Sequence, residues 1–115
     1  YIPSEIGKLT KLSQLSLQEN SLVGFIPSRI GQCTELTILY LYSNSLVGLI
    51  PSEIGALTNL EYLGIFNTDI SGTIPSNIGA LTNLKYLSIT NTSLSGTIPK
   101  SLCNQQLELI FDESV

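Results

Sequence analysis

Leu36-Thr37-Ile38-Leu39-Tyr40-Leu41-Tyr42-Ser43-Asn44 is the stretch whose reading decides the fold. Leucines stand at its first, fourth and sixth positions and an asparagine at its ninth. Leu39 and Leu41 alternate with Ile38, Tyr40 and Tyr42, the period of a strand with one buried face. Asn44 falls where that strand must end, because asparagine tolerates turn conformations and bonds nearby backbone. The same pattern returns at one fixed spacing: at Leu12, Leu15, Leu17 and Asn20; at Leu60, Leu63, Ile65 and Thr68; at Leu84, Leu87, Ile89 and Thr92.

The segments between these copies repeat as well. Five prolines share one phase, at Ile2-Pro3, Ile26-Pro27, Ile50-Pro51, Ile74-Pro75 and Ile98-Pro99. Each opens a run of the form Ile-Pro-Ser-x-Ile-Gly-x-Leu-Thr-x-Leu, clearest from Ile50 to Leu60. Proline fixes φ and ends extended pairing, and the glycine after it would permit a tight reversal. So few residues separate strand from strand that a 3₁₀ turn is expected there. A second short extended piece lies before each proline, as in Leu46-Val47-Gly48-Leu49-Ile50 and Ile70-Ser71-Gly72-Thr73-Ile74. Its outer aliphatic positions should face inward and its glycine should mark a bend or bulge.

A strict internal period read this way means a solenoid. The composite L-x-x-L-x-L-x-x-N-x-L-x-G-x-I-P-x-x-I-G-x-L resembles the plant-type subfamily of leucine-rich repeats. Such repeats build ectodomains of receptor-like kinases and receptor-like proteins, polygalacturonase-inhibiting proteins and secreted algal relatives. The resemblance implies an α/β solenoid with a parallel concave sheet, a short second sheet and 3₁₀ turns. It divides the chain into a half coil 1–11, repeats 12–35, 36–59, 60–83 and 84–106, and an irregular terminal coil 107–115. Thr68 and Thr92 depart from the pattern. The resemblance implies a buried asparagine bonded to neighbouring coils there, and one hydroxyl satisfies fewer groups than an amide. Beyond Pro99 the repeat fades; Leu107 arrives one residue early, and Asp112-Glu113 give the end a polar face suited to a cap. Ile2, Ile6 and Leu9 form an opening half coil with nothing stacked before it.

Composition narrows the function. Of 115 residues 43% are hydrophobic and 12% charged, which excludes a disordered tail. No run approaches the roughly 18 apolar residues of a membrane span. Tyr1-Ile2-Pro3 enters in mid-repeat, so the chain reads as a piece of a longer protein. A net charge of −4 with Lys8, Lys11, Arg29, Lys85 and Lys100 dispersed argues against nucleic acid. There is no histidine, phosphate loop, nucleophile elbow or metal-ligand spacing, so neither catalysis nor a cofactor is expected. Glu5, Arg29 and Glu53 read as an alternating stripe on the convex surface. Cys33 stands in the column of Leu9, Leu57 and Leu81 and should be a buried, unpaired thiol. Cys103 falls in the glycine column about 14 Å away, too far to pair with it.

The outward positions of the main sheet carry the binding expectation. They are Gln14, Ser16 and Gln18; Ile38, Tyr40 and Tyr42; Tyr62, Gly64 and Phe66; Tyr86, Ser88 and Thr90. Tyr40, Tyr42, Tyr62, Phe66 and Tyr86 are five of the chain's eight aromatic residues, more than a solvent-facing sheet needs. With Gln18 and Thr90 they are the candidate ligand face, since tyrosine suits binding surfaces and solenoids bind on their concave side. Val23, Phe25, Val47 and Leu49 form a candidate contact patch on the second sheet, giving way to Ser71, Thr73, Ser95 and Thr97. Self-association through that patch or through the uncapped N-terminal coil is a further expectation. Asn91-Thr92-Ser93 is the one N-glycosylation sequon. The resemblance implies an extracellular recognition module for a peptide, protein or cell-wall glycan, within a receptor-like or secreted protein. The alternatives are an inhibitor of a wall-degrading enzyme, an intracellular scaffold, or an ice-binding array on Thr10, Thr34, Thr58 and Thr82.

Overall fold

Proline opens every coil at its turn. In the computed structural model, which describes residues 1–96 and 99 and the backbone of Glu108–Ile110, Pro3, Pro27, Pro51 and Pro75 each precede a 3₁₀ helix. These helices run Ser4–Lys8, Ser28–Gln32, Ser52–Ala56 and Ser76–Ala80. The proline lacks an N–H but its carbonyl accepts from the isoleucine three residues on, at 3.0–3.1 Å in all four turns.

Two parallel sheets flank the turns. The main sheet contains β1 (Gln14–Ser16), β3 (Ile38–Tyr40), β5 (Tyr62–Gly64), β7 (Tyr86–Ser88) and β9 (Glu108–Ile110), adjacent in that order. Gln14 pairs with Ile38, Ile38 with Tyr62 and Tyr62 with Tyr86, so each step of the sheet is one full repeat. The last step differs, because Tyr86 pairs with Glu108 and Leu87 with Leu109. The terminal unit is therefore two residues short, not the single residue that the position of Leu107 implied.

The second sheet contains β2 (Val23–Gly24), β4 (Ser45–Leu49), β6 (Asp69–Thr73) and β8 (Ser93–Ser95). Its register corrects the expected columns. Val23 lies opposite Ser45 rather than Val47, Val47 opposite Asp69 rather than Ser71, and Leu49 opposite Ser71 rather than Thr73. A shift of two leaves each side chain on its face but changes its neighbour. The glycines of these strands lie at φ +80° to +85°, the bend expected of them, where no L side chain sits comfortably.

The other glycine column has a different cause from the one its sequence suggested. Gly7, Gly31 and Gly55 are absent from the positive-φ positions, so no reversal requires them. Instead the next coil lies directly against them: a Cβ on Gly31 would stand 2.7 Å from the Glu53 carbonyl, and one on Gly55 2.6 Å from that of Asn77. Close coil packing demands glycine here.

Between sheets and turns lies an aliphatic core. Leu36, Leu39, Leu41 and Leu46 are sealed from solvent, as is Cys33, whose Sγ lies 3.2 Å from the Ile6 carbonyl and whose pKa burial raises. The equivalent Leu12, Leu15, Leu17 and Leu22 of the first coil are only half-buried, and Leu9 is exposed. Cys103 lies outside the described residues.

Asn44 stitches coils together. Its Nδ2 donates to the carbonyls of Leu17, Leu41 and Tyr42 at 2.9, 3.1 and 3.3 Å, and its Oδ1 accepts from the Leu22 N–H at 3.1 Å. Among the described residues Thr68 and Thr92 bond only within their own coils, donating to the Ile65 and Ile89 carbonyls. The amides have moved one residue upstream, to the left-handed positions Asn67 and Asn91. There Asn91 donates to Asn67 at 2.7 Å and Asn67 to the Ser43 hydroxyl at 3.4 Å, forming a ladder on the surface.

Candidate functional site

Strand alternation sends residues on either side of Leu39, Leu63 and Leu87 to the concave surface. Parallel pairing then stacks them in columns about 5 Å apart. Tyr62 stands over Tyr86, their ring centroids 6.5 Å apart and tilted by 49°. Tyr42 and Phe66 stack at 4.2 Å with planes 11° apart, and Tyr40 meets the edge of Tyr42 at 5.6 Å. The middle column narrows from Tyr40 to Gly64 and Ser88.

Gly64 explains the convergence. A Cβ there would stand 3.2 Å from Tyr40, 3.3 Å from Tyr42 and 3.6 Å from Phe66. Rings from both neighbouring positions lean over bare backbone, which leaves Gly64 buried beneath them. Part of the ring cluster is therefore structural, a cover over a glycine in the sheet. The five rings remain only half-buried, however, and together line a groove of about 350 Å³. Among the described residues no charged side chain lines it. Burial, then the neighbouring tyrosines, raises the Tyr40 pKa, so its hydroxyl stays protonated at neutral pH.

Five of the expected residues thus meet in one cup; Gln18 and Thr90 do not line it. They continue the Tyr42 column at either end. Gln18 Oε1 is buried without a partner among the described residues, and the Thr90 carbonyl accepts the Asn67 N–H at 3.1 Å. Asn91 is exposed just beyond Thr90.

Val23, Phe25, Val47 and Leu49 are all exposed, Phe25 to 67% and Leu49 to 64%. Tyr1, overlooked in the sequence, belongs with them at 80% exposure, as the first of a ladder whose later members are Phe25, Leu49 and Thr73. Each lies over the bent glycine of the next coil. Its kinship was legible in the shared phase of Tyr1-Ile2-Pro3 and Phe25-Ile26-Pro27.

A polar shelf also escaped the sequence reading. Where the turns enter the main sheet, Lys11, Glu35, Asn59, Glu61 and Asn83 line an open depression of about 500 Å³. Glu61 pairs with Lys85 at 3.0 Å, and that hydrogen bond raises the lysine's pKa. Its signal was the x of each Leu-Thr-x-Leu, polar in every copy.

Comparison with known proteins agrees with this architecture. A family described as a leucine-rich repeat region matches residues 1–111, and the chain belongs to that family. Comparison with curated proteins returns no match. Among solved structures the chain is similar to the ectodomain of the Arabidopsis thaliana receptor kinase GASSHO1/SCHENGEN3, solved with CASPARIAN STRIP INTEGRITY FACTOR 2. That match has 35% identity and a TM-score of 0.91, covering 96% of this chain and 14% of the ectodomain. It is also similar to the Arabidopsis receptor kinase HAESA, solved with the peptide hormone IDA and the co-receptor SERK1, at 34% identity, TM-score 0.86, and coverage of 96% and 20%. A plant ice-binding protein shares 29% identity and a TM-score of 0.86 over 96% of this chain and 44% of its own. The chain thus spans a minor part of each, and one fold serves more than one use.

Proposed function

We propose that the chain is part of an extracellular recognition module that binds a peptide or protein across its concave face, within a receptor-like or secreted protein. The observation that carries this reading is the cup of Tyr40, Tyr42, Tyr62, Phe66 and Tyr86. Rings held at fixed spacing by a rigid sheet offer large contact area at low entropic cost. The similar structures of GASSHO1/SCHENGEN3 in complex with CASPARIAN STRIP INTEGRITY FACTOR 2 and of HAESA in complex with a peptide hormone support it. Among the described residues the lining of the cup carries no charge, which speaks against an enzyme inhibitor that works by charge complementarity there.

The test is a random-peptide display selection on the immobilised chain and, in parallel, on a Tyr62→Ala, Tyr86→Ala variant. Peptides should be enriched on the wild type and not on the variant. Equal enrichment on both would remove the cup from the reading.

A second contact is favoured by one observation, the exposed run of Tyr1, Phe25 and Leu49 beside Val23 and Val47. Monomers rarely leave such a surface uncovered. In sedimentation velocity the chain should associate, and Phe25→Ser with Leu49→Ser should shift it toward monomer at unchanged circular dichroism. Association that persists would place the sticky surface at Leu9 and the half-buried leucines of the first coil.

A further inference from the structure

The cup and the shelf run side by side across the coils and meet where Glu61 and Lys85 directly precede Tyr62 and Tyr86. Their chemistry is opposed. Among the described residues the cup is uncharged and ring-lined; the shelf is rich in acceptors. Glu35 makes no ion pair among the described residues. Asn59 and Asn83 direct their Nδ2 groups to the Thr34 and Thr58 carbonyls at 3.1 and 2.9 Å, which leaves their side-chain carbonyls as acceptors. The Glu61 carboxylate is engaged by Lys85, and Lys11, in the first coil, is the one cation among the described residues that lines the shelf. Lys11 and Lys85 balance the two carboxylates in charge, but Glu35 outside any ion pair and the two asparagine carbonyls remain as acceptors, and these favour ligand N–H donors, basic side chains among them.

Resting on the peptide-binding reading above, we infer that this face selects an extended peptide of alternating polarity, with uncharged apolar side chains in the cup and basic ones on the shelf. The geometry follows from the strand period. Successive side chains of an extended chain point to opposite sides. Laid along the strip between the two tracks, one set reaches the rings and the other reaches Glu35, Glu61 and the asparagine carbonyls. From the coil of Lys11 to that of Asn83 is three steps of about 4.8 Å, the length of roughly four extended residues. Two alternations therefore fit within the site.

Three capped hexapeptides distinguish this from a merely sticky groove: Leu-Lys-Leu-Lys-Leu-Lys, its block permutation Leu-Leu-Leu-Lys-Lys-Lys, and Leu-Glu-Leu-Glu-Leu-Glu. Calorimetry on the whole chain should show the alternating basic peptide bound roughly tenfold or more tighter than either other, a difference of about 1.4 kcal/mol. Glu35→Gln with Glu61→Gln should remove most of that preference while circular dichroism stays unchanged. Equal binding of the alternating and block peptides would overturn the alternation and leave the peptide-binding reading standing. Equal binding of the basic and acidic peptides would remove the shelf's role. Failure of all three to bind, while display selection still enriches other peptides through the rings, would likewise overturn this inference and spare the broader one.

Discussion

Gly55→Ala should cost about 3 kcal/mol of folding stability, at the upper end of overpacking penalties. The added Cβ would meet the carbonyl oxygen of Asn77 at 2.6 Å and its Cβ at 2.9 Å. Both belong to the next coil's turn, and Ile78, beside Asn77, is fully buried, so relief requires the coils to part. Gly64→Ala is the control. The three atoms nearest its new methyl are ring atoms of Tyr40, Tyr42 and Phe66, at 3.2 to 3.6 Å, and half-exposed rings can turn aside. It should cost about 1 kcal/mol or less. Urea unfolding of the two variants checks the contrast; equal losses would mean that coil spacing is not what fixes the glycine column.

Asn44→Ala should destabilise by a similar amount, about 3 kcal/mol. Its amide satisfies the Leu22 N–H and donates to the carbonyls of Leu17, Leu41 and Tyr42, and the residue is 8% exposed. Alanine would strand that N–H and break the amide's bonds from one coil to the coil before it. The converse substitution, Thr68→Asn, should stabilise by about 1 kcal/mol, because among the described residues the native hydroxyl makes one bond, to the Ile65 carbonyl. Urea midpoints measure both, and opposite signs are the expected result. No gain for Thr68→Asn would show that the surface ladder of Ser43, Asn67 and Asn91 already compensates for the lost amide.

Much of this was legible in one repeating period. The concave sheet, the 3₁₀ turns and the inward leucines follow from where Leu39, Leu41 and Pro51 stand, since strand alternation and proline geometry are local. The five rings could be placed on one face for the same reason. What depends on three-dimensional closeness was not legible. The stagger of the second sheet, the tight coil contact behind Gly31 and the folding of Tyr42 and Phe66 over Gly64 arise between coils. Gly31 and Gly48 look alike in sequence, yet only Gly48 is held at positive φ. The shelf went unread because Lys11, Glu35, Asn59 and Asn83 share polarity but no single residue type.

The central claim is that the concave rings are held for recognition, beyond their share in covering Gly64. A Tyr42→Ala, Phe66→Ala variant tests it when two quantities are measured on the same protein: calorimetric affinity for a peptide enriched by display on the wild type, and the midpoint of urea unfolding. Affinity should fall by about 2 kcal/mol or more, the scale of an interface hot spot. Stability should fall by only about 1 kcal/mol, the worth of one aromatic pair on an open sheet. Unchanged affinity with a large loss of stability would contradict the account and make the rings a structural lid.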